Sequence, residues 1–451
     1  MGESYDALVA GAGTAGATAA YFMAREGLKV ALIDMKPREQ IGLKVCGDAI
    51  DVRHFDRVGI PHPRGQEIDG KFEGVKVFAP SERDYFVVEG EGYALNRHAF
   101  GQRLLKMAEQ AGVEVLAQHH AFRPIVEGSR VVGVEVKDLK GRRIYELRAK
   151  VTVDATGVSA KLRTSLPSEW WVSYKPPHED FYSAFREIIE VEEVPERERG
   201  YAVIYLNMDI APGGYWWAFH KGGDLINLGI GVQWKEGNPN PKFAYNENLR
   251  PRYKIRRVIH SGGGIGPSRK PVPCMVWNGF MALGDAICAA NPIHGGGIGP
   301  SMLSAKAAAE TVLEALSADD PSMSGLWGYH KRYHELYGAK QAGLDVLRMY
   351  LQRLTNDDLN FIISSGVISG KDVYEIGTKG KLASEVVSKV TSGLKLLRRP
   401  SILRQLLKVK EYMDRAVELY ANYPESPDDF ERWLAEEQRL FDEYRSWLAS
   451  L

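Results

Sequence analysis

The chain has 451 residues, long for one compact unit and enough for two or three lobes around a sizeable core. Lys plus Arg and Asp plus Glu both number 58, so the formal net charge is zero and nothing global argues for nucleic acid as a partner. Three scattered cysteines, Cys46, Cys274 and Cys288, exclude a disulfide framework and metal-ligand spacing and suit a reducing compartment.

The first predicted element is an apolar strand, Tyr5 to Ala10, running into Gly11-x-Gly13-x-x-Gly16 and a small-residue helix start. That order suits a dinucleotide pyrophosphate. Gly11 allows a sharp turn, Gly13 allows backbone to approach phosphate, and Gly16 allows the helix to pack on the sheet. The next strand, Leu28 to Asp34, ends in an acid 18 residues beyond Gly16, where a ribose hydroxyl acceptor is expected. No basic-then-apolar leader precedes the first strand, and no apolar run approaches the ~20 residues needed to span a bilayer. The expectation is a cytoplasmic protein, peripheral at most on the inner face of the membrane.

Ile41 to Ala49 is too glycine-rich for a helix and predicts a loop folded back over the cofactor, carrying Cys46. Val75 to Phe78 and Tyr85 to Val88 predict an antiparallel hairpin, and Asn96 to Ala111 predicts a helix closed by Gly112. Short strands follow at Val113 to Leu116, Ala121 to Ile125, Val131 to Val136 and Arg143 to Leu147. Val151 to Gly157 reads as a buried strand ending in a second phosphate-side turn. Aromatic-rich strands at Phe181 to Ile188, Tyr201 to Leu206, Tyr215 to Phe219 and Leu225 to Val232 predict an antiparallel substrate lobe. A further strand ends in Gly284-Asp285 and leads through a glycine-rich stretch, Asn291 to Gly299, into a helix from Pro300 to about Leu316. The remainder predicts helices with an apolar stripe, the last one starting at Ser426-Pro427.

Three cofactor-type turns in this order resemble the FAD proteins of the para-hydroxybenzoate hydroxylase type, in which one nucleotide domain is assembled from distant segments. Within that group the chain resembles the geranylgeranyl reductase family, including the archaeal digeranylgeranylglycerophospholipid reductases. The residues that carry the likeness are Lys44-x-Cys46-Gly47-Asp48, Pro212-Gly213-Gly214-Tyr215-Trp216-Trp217-Ala218-Phe219, and Gly284-Asp285 with Pro292-x-His294-Gly295-Gly296-Gly297. His220 stands where the aromatic motif usually ends in proline, which leaves the following turn open.

The resemblance implies an α/β fold: a Rossmann-type FAD-binding domain (1–54, 90–165 and 275–320), an antiparallel β-sheet substrate domain (55–89 and 166–274) and a C-terminal helical region (321–451). It implies FAD contacts from Gly11, Gly13, Ala15, Gly16, Asp34, Cys46, Gly47, Arg97, Ala121, Asp285, Gly297 and Ile298. It also implies reduction of isolated double bonds in geranylgeranyl chains of a phospholipid or diphosphate, with electrons from a donor that NADPH, ferredoxin or deazaflavin could each supply. An isolated alkene gives hydride no acidic handle, so a proton must reach one carbon as hydride reaches the other. Cys46 is the candidate, as donor, as the group positioning a water donor, or as simple packing against the ring. Tyr215 and Trp217 alternate onto one face and are the catalytic aromatic candidates, lining a lipid channel or packing as plain sheet core.

His330 and His334, at i and i+4, lack an evident third ligand and are expected on a solvated helix face, with no metal. His294 is expected to shape its loop. Lys395, Arg398, Arg399, Arg404, Lys408, Lys410 and Arg415 form a cationic run that suits either a solvated face or anionic headgroups. A monooxygenase or halogenase on the same scaffold, and a non-catalytic flavin electron carrier, are the alternatives.

Overall fold

A computed structural model describes residues 4–366, 368–382 and 399–451. The chain opens with β1 (Ser4–Ala10), α1 (Thr14–Arg25), β2 (Val30–Asp34), β3 (Ala49–Asp51), α2 (Arg53–Val58), β4 (Ile68–Phe78), β5 (Tyr85–Leu95) and α3 (Arg97–Gln110). Strands β6 (Glu114–Ala117), β7 (His119–Glu127), β8 (Arg130–Asp138) and β9 (Ile144–Asp154) follow, then β10 (Phe181–Val191), β11 (Tyr201–Tyr205), β12 (Tyr215–His220) and β13 (Leu225–Gln233). After α4 (Pro241–Asn248) come β14 (Ile255–Pro267), β15 (Val276–Trp277), β16 (Phe280–Ala282) and α5 (Ile298–Ser317). The helical tail is α6 (Met323–Leu326), α7 (Gly328–Tyr333), α8 (Ala339–Leu351), α9 (Asn356–Ser364), α10 (Gly370–Lys379), α11 (Pro400–Ala421) and α12 (Phe430–Ala449).

Two eight-stranded sheets organise these elements. In the first, β16, β9, β1, β2 and β6 run parallel in that order, with β15 at one edge and the β7–β8 hairpin attached to β9. The near-continuous burial of β1 and β2 is what a parallel strand covered by helices on both faces requires. The second sheet has the order β14-β10-β13-β12-β11-β4-β5-β3. Its pairs are antiparallel except β11 with β4, which is parallel because the hairpin and β11 are joined by a long excursion through the first sheet. The wholly antiparallel lobe expected from sequence is corrected at that one pair.

Other differences have local causes. Arg143 to Leu147 and Val151 to Gly157 fuse into β9, because Leu147, Ala149, Val151 and Val153 continue one buried face. The second sheet takes in β3 and residues 90–95 of β5, so the expected boundary between 89 and 90 falls inside a paired strand. Strand β14 escapes a composition-based reading through its Ser261-Gly262-Gly263-Gly264 run, since glycine weakens a strand pattern. The side chain of Val45 sits 2.6 Å from where a Cβ on Gly262 would lie, so bare backbone admits the Cys46 loop there.

The solvated face expected for His330 and His334 is instead core: they are 0% and 2% exposed. Tyr423 stacks on the His330 ring at 4.7 Å and lies 4.9 Å from that of His334. Among the described residues no His, Cys, Asp and Glu cluster could hold a metal. His330 Nε2 accepts the Met275 N–H at 2.9 Å, so the ring is neutral. Burial lowers the His330 pKa to about 3 and pushes that of His334 well below its ordinary value. Unfolded histidine titrates near ~6.5, so below that pH the unfolded chain binds protons that the folded chain refuses. Stability is therefore complete above about 6.5 and lost as pH falls toward the folded values. We expect the melting temperature to drop steeply over that window. His330→Gln keeps an acceptor without the titrating proton and flattens the profile; parallel profiles for the two proteins would count against this account.

The cationic run is largely neutralised where it is described. Arg399 pairs with Asp358, Lys408 with Glu411, Lys410 with Asp414 and Arg415 with Glu443. Lys395 and Arg398 lie outside the described residues. No described helix is long and apolar enough to cross a membrane.

Candidate active site

The three turns at the ends of β1, β9 and β16 meet. A Cβ on Gly11, whose φ is +104°, would lie 2.4 Å from the Ala155 carbonyl oxygen, and one on Gly284 would lie 2.8 Å from the Ala15 methyl. Packing this close leaves no room for larger residues, which is why distant segments all carry glycine here. Gly13 differs: nothing lies within 4 Å of its missing Cβ, so its backbone faces open space at the start of α1. Gly16 serves helix packing, since its absent Cβ would fall 1.8 Å from the Gly11 carbonyl oxygen.

These turns open into one cavity of about 1550 Å³. Drug-sized pockets hold ~300–1,000 Å³, so the space suits a dinucleotide together with a second large ligand. Gly11, Gly13, Ala15, Asp34, Cys46, Gly47, Arg97, Ala121, Asp285, Gly297 and Ile298 all line it, as do Tyr215 and Trp217.

The donor set fits FAD. Arg97 Nη2 donates to Thr14 Oγ1 at 2.9 Å beside the α1 N-terminus, while its Nε and Nη1 are buried with no partner. Such a guanidinium beside exposed helix amides suits a pyrophosphate. The Asp34 carboxylate accepts the Ala12 N–H and the Lys36 N–H, both at 2.8 Å, and retains lone pairs for a ribose hydroxyl. Asp285 meets Lys44 at 3.3 Å through one oxygen and leaves Oδ1 buried and unpartnered, an acceptor suited to ribityl hydroxyls. Helix α5 starts at Gly297-Ile298 without a side-chain cap, so its first amides are free to meet an electron-rich ring edge.

Cys46 is half-buried, and its carbonyl is clamped by Asn227 Nδ2 at 2.8 Å and Arg186 Nε at 3.2 Å. Asp48, held at φ +65°, makes a buried ion pair with Lys221 at 2.9 Å. The thiol loop is thus fixed at both ends. Tyr215 donates its hydroxyl to the His294 carbonyl at 2.6 Å, and Trp217 donates Nε1 to Asn227 Oδ1 at 3.0 Å. With both polar hydrogens engaged, what remains for chemistry is the ring faces. The expected alternation holds: Trp217 and Phe219 pack together, while Trp216 stacks on Tyr205 at 3.7 Å beneath the opposite face.

His294 Nδ1 accepts the Gly296 N–H at 3.1 Å, closing the glycine loop. His220 settles the turn left open by its departure from proline, accepting the Gly200 N–H at 3.2 Å and bonding the Gly223 carbonyl at 3.0 Å. Sequence reasoning missed Tyr182 and Arg186, which face the cavity beside Cys46. Two-residue alternation from Tyr182 through Ala184 to Arg186 was the available signal.

Most of the remaining wall is apolar. The hairpin offers Val75, Val77 and Val88, and α8 to α10 offer Leu344, Leu347, Ile363 and Ile376. The tail packs directly on β5: a Cβ on Gly370 would lie 1.5 Å from the Val87 carbonyl oxygen.

Two family models match the chain: the geranylgeranyl reductase catalytic domain over residues 180–265 and the FAD binding domain over residues 6–54. With the convergent turns, they define an FAD-binding oxidoreductase. Over 448 residues the chain is 38% identical to the digeranylgeranylglycerophospholipid reductase of Sulfolobus acidocaldarius, covering 99% of each. It is 30% identical over 413 residues to digeranylgeranylglycerophospholipid reductase 2 of Methanopyrus kandleri, covering 89% of this chain and 98% of that one. The chain belongs to the digeranylgeranylglycerophospholipid reductase family.

A crystal structure of a geranylgeranyl bacteriochlorophyll reductase-like protein from Thermoplasma acidophilum superposes with a TM-score of 0.76 at 26% identity, covering 91% of this chain and all of that one. A flavin-dependent brominase superposes at 0.65 with 18% identity, a likeness of fold alone.

Proposed function

We propose that this protein is an FAD-dependent reductase that hydrogenates isolated double bonds in the geranylgeranyl chains of membrane-lipid precursors. The observation that supports this reading most is the continuity of the dinucleotide cradle with a large apolar cavity. A monooxygenase for small polar substrates has no use for that wall.

FAD, when bound, supplies the hydride. The chain's own residues do the rest. Arg97, the α1 amides, Asp34 and Asp285 hold the cofactor. The aliphatic side chains of the hairpin and tail exclude water and keep the prenyl chain extended. The ring faces of Trp217 and Tyr215 stabilise positive charge developing on the alkene, an attraction of ~0.5–2 kcal/mol each. Cys46 delivers the proton from its thiol or positions the water that does. An external electron donor and a bilayer surface from which the lipid is drawn belong to the same reading.

Anaerobic incubation of the dithionite-reduced holoprotein with a geranylgeranyl lipid should give products heavier by pairs of hydrogens in mass spectrometry. Unaltered substrate, or oxygen uptake that depends on substrate and NADPH, would refute the assignment.

A further inference from the structure

On the cavity face of the second sheet the side chains shrink abruptly at one point. Across β12, β13, β10 and β14 the register aligns Tyr215 with Gly231, Gly231 with Ala184, and Ala184 with Gly264. Neighbours in such a row share one face of the sheet, and all four residues line the cavity. A Cβ on Gly264 would meet nothing within 4 Å, and one on Gly231 would reach only Tyr182 at 3.9 Å and Trp217 at 4.0 Å. Three neighbouring strands therefore contribute nothing larger than a methyl, and the row is the floor of a recess.

Its walls are polar. Two residues along β10 from Ala184 in either direction stand Tyr182 and Arg186, on the same face by strand alternation. Arg186 Nε holds the Cys46 carbonyl at 3.2 Å, which brings the thiol loop to that side. On the other side the Tyr182 ring is seated against two more glycines: a Cβ on Gly266 would lie 2.2 Å from its hydroxyl oxygen, and one on Gly295 3.4 Å from it. The phenol is thus held in place by bare backbone and not by a polar contact. The polar hydrogens of Tyr215 and Trp217 are taken by His294 and Asn227, whereas Tyr182 makes no hydrogen bond among the described residues. Burial, with Asp285, Tyr215 and Cys46 close by, raises its pKa above the ordinary phenol value and keeps it a neutral donor. The floor offers no hydrogen bond, so a water molecule in this recess takes its bonds from the two walls.

We infer that Tyr182 is a further catalytic residue of the proposed prenyl reduction: its hydroxyl and the Cys46 thiol hold between them the water that protonates the alkene. The inference rests on the prenyl-reductase reading. One alkene carbon takes hydride from the reduced cofactor, which is oxidised by two electrons, and the π pair forms the second C–H bond with a proton of the water at the neighbouring carbon. The water regains a proton from the Cys46 S–H as it gives up its own, and the thiolate left behind is reprotonated from solvent when the product leaves. The phenol, a donor that stays protonated, stabilises that negative charge through the same water.

Two measurements on the holoprotein test this, one of them without turnover. Iodoacetamide alkylates the thiolate, and Cys274 and Cys288 are buried, so mass spectrometry at a fixed neutral pH follows Cys46. The parent is alkylated about 10-fold faster than Tyr182→Phe, the effect of losing one hydrogen bond to a charged group. In turnover with dithionite and geranylgeranyl diphosphate, Tyr182→Phe keeps its flavin and melting temperature but reduces the double bond about 10²-fold more slowly, in kcat and not in KM. Adding Tyr182→Phe to Cys46→Ala slows the reaction no further, because both act on one water. Ala184→Val fills the recess with a residue suited to a strand, leaves the phenol in place and slows the same step comparably.

Equal alkylation rates overturn the inference. So do an undiminished kcat in Tyr182→Phe or Ala184→Val, additive losses in the double variant, or Tyr182→Phe protein that purifies without flavin, which would assign the hydroxyl to the cofactor. Slower alkylation of Tyr182→Phe alongside a parent that reduces no prenyl lipid would refute the proposed activity and not the link between phenol and thiol; prenyl reduction by the parent with equal alkylation rates would do the reverse.

Discussion

Cys46→Ala protein remains yellow, accepts electrons from dithionite like the parent, and reduces the prenyl double bond about 10²- to 10⁴-fold more slowly, the usual contribution of a positioned proton donor. The two half-reactions separate because the cofactor and the proton depend on different atoms of the same loop. The loop's course is set by main-chain and neighbouring side-chain contacts, namely Asn227 and Arg186 on the Cys46 carbonyl and Lys221 on Asp48, which side-chain truncation at position 46 leaves in place. Lys221 is 3% exposed and also meets Asp69 at 3.0 Å, so this anchor is unlike a surface ion pair. Its loss would move the whole loop.

The thiol itself is only half-buried, so removing its sulfur leaves a shallow gap rather than a sealed cavity and costs little stability. Cys46→Ser divides the remaining possibilities: a hydroxyl positions water nearly as well as a thiol but is a far weaker acid. Serine at near-parental rate with alanine slow assigns water positioning; both slow assigns direct donation. Unchanged turnover in both variants returns Cys46 to packing against the ring. Tyr215 does not confuse the result, since its hydroxyl already donates to His294 and burial raises its pKa.

Where local pattern and tertiary role coincide, the sequence was readable. The β1–α1 turn shows this, because strand, glycines and helix are contiguous and Gly16 answers to the Gly11 carbonyl oxygen within the same unit. Alternation placed Trp216 and Trp217 on opposite faces for the same reason. What stayed hidden depends on partners far along the chain. His330 and His334 have polar neighbours in sequence and became core only because Tyr420 and Tyr423 fold back over them. Strand β14 carries no strand pattern of its own because its glycines answer to Val45 and Tyr182, neither of which is near in sequence: Cβ positions on Gly262 and Gly266 fall 2.6 Å and 2.2 Å from them.

Gly16→Ala yields protein that purifies with little or no flavin and melts at lower temperature even when flavin-free. An added methyl at 1.8 Å from the Gly11 carbonyl oxygen cannot be absorbed by a side-chain rotation, because the opposing atom is backbone and the Ala155 methyl blocks the other side at 3.1 Å. Relief requires α1 to retreat from β1 by more than about 1 Å, and overpacking of this kind costs about 1–3 kcal/mol. The retreat carries the α1 N-terminal amides away from the position where Arg97 holds its unpartnered guanidinium nitrogens, so the pyrophosphate loses its two binding partners together. Gly13→Ala is the discriminating companion. Its methyl enters open space, so the flavin-free protein keeps the parental melting temperature, yet the methyl occupies the volume through which phosphate approaches the backbone. Flavin absorbance per mole of protein and thermal denaturation of the flavin-free forms read the two effects separately. A Gly16→Ala protein with a full complement of flavin would show that helix α1 is not held against the strand by that contact, and equal melting temperatures for the two variants would remove the distinction between a packing glycine and a phosphate-approach glycine.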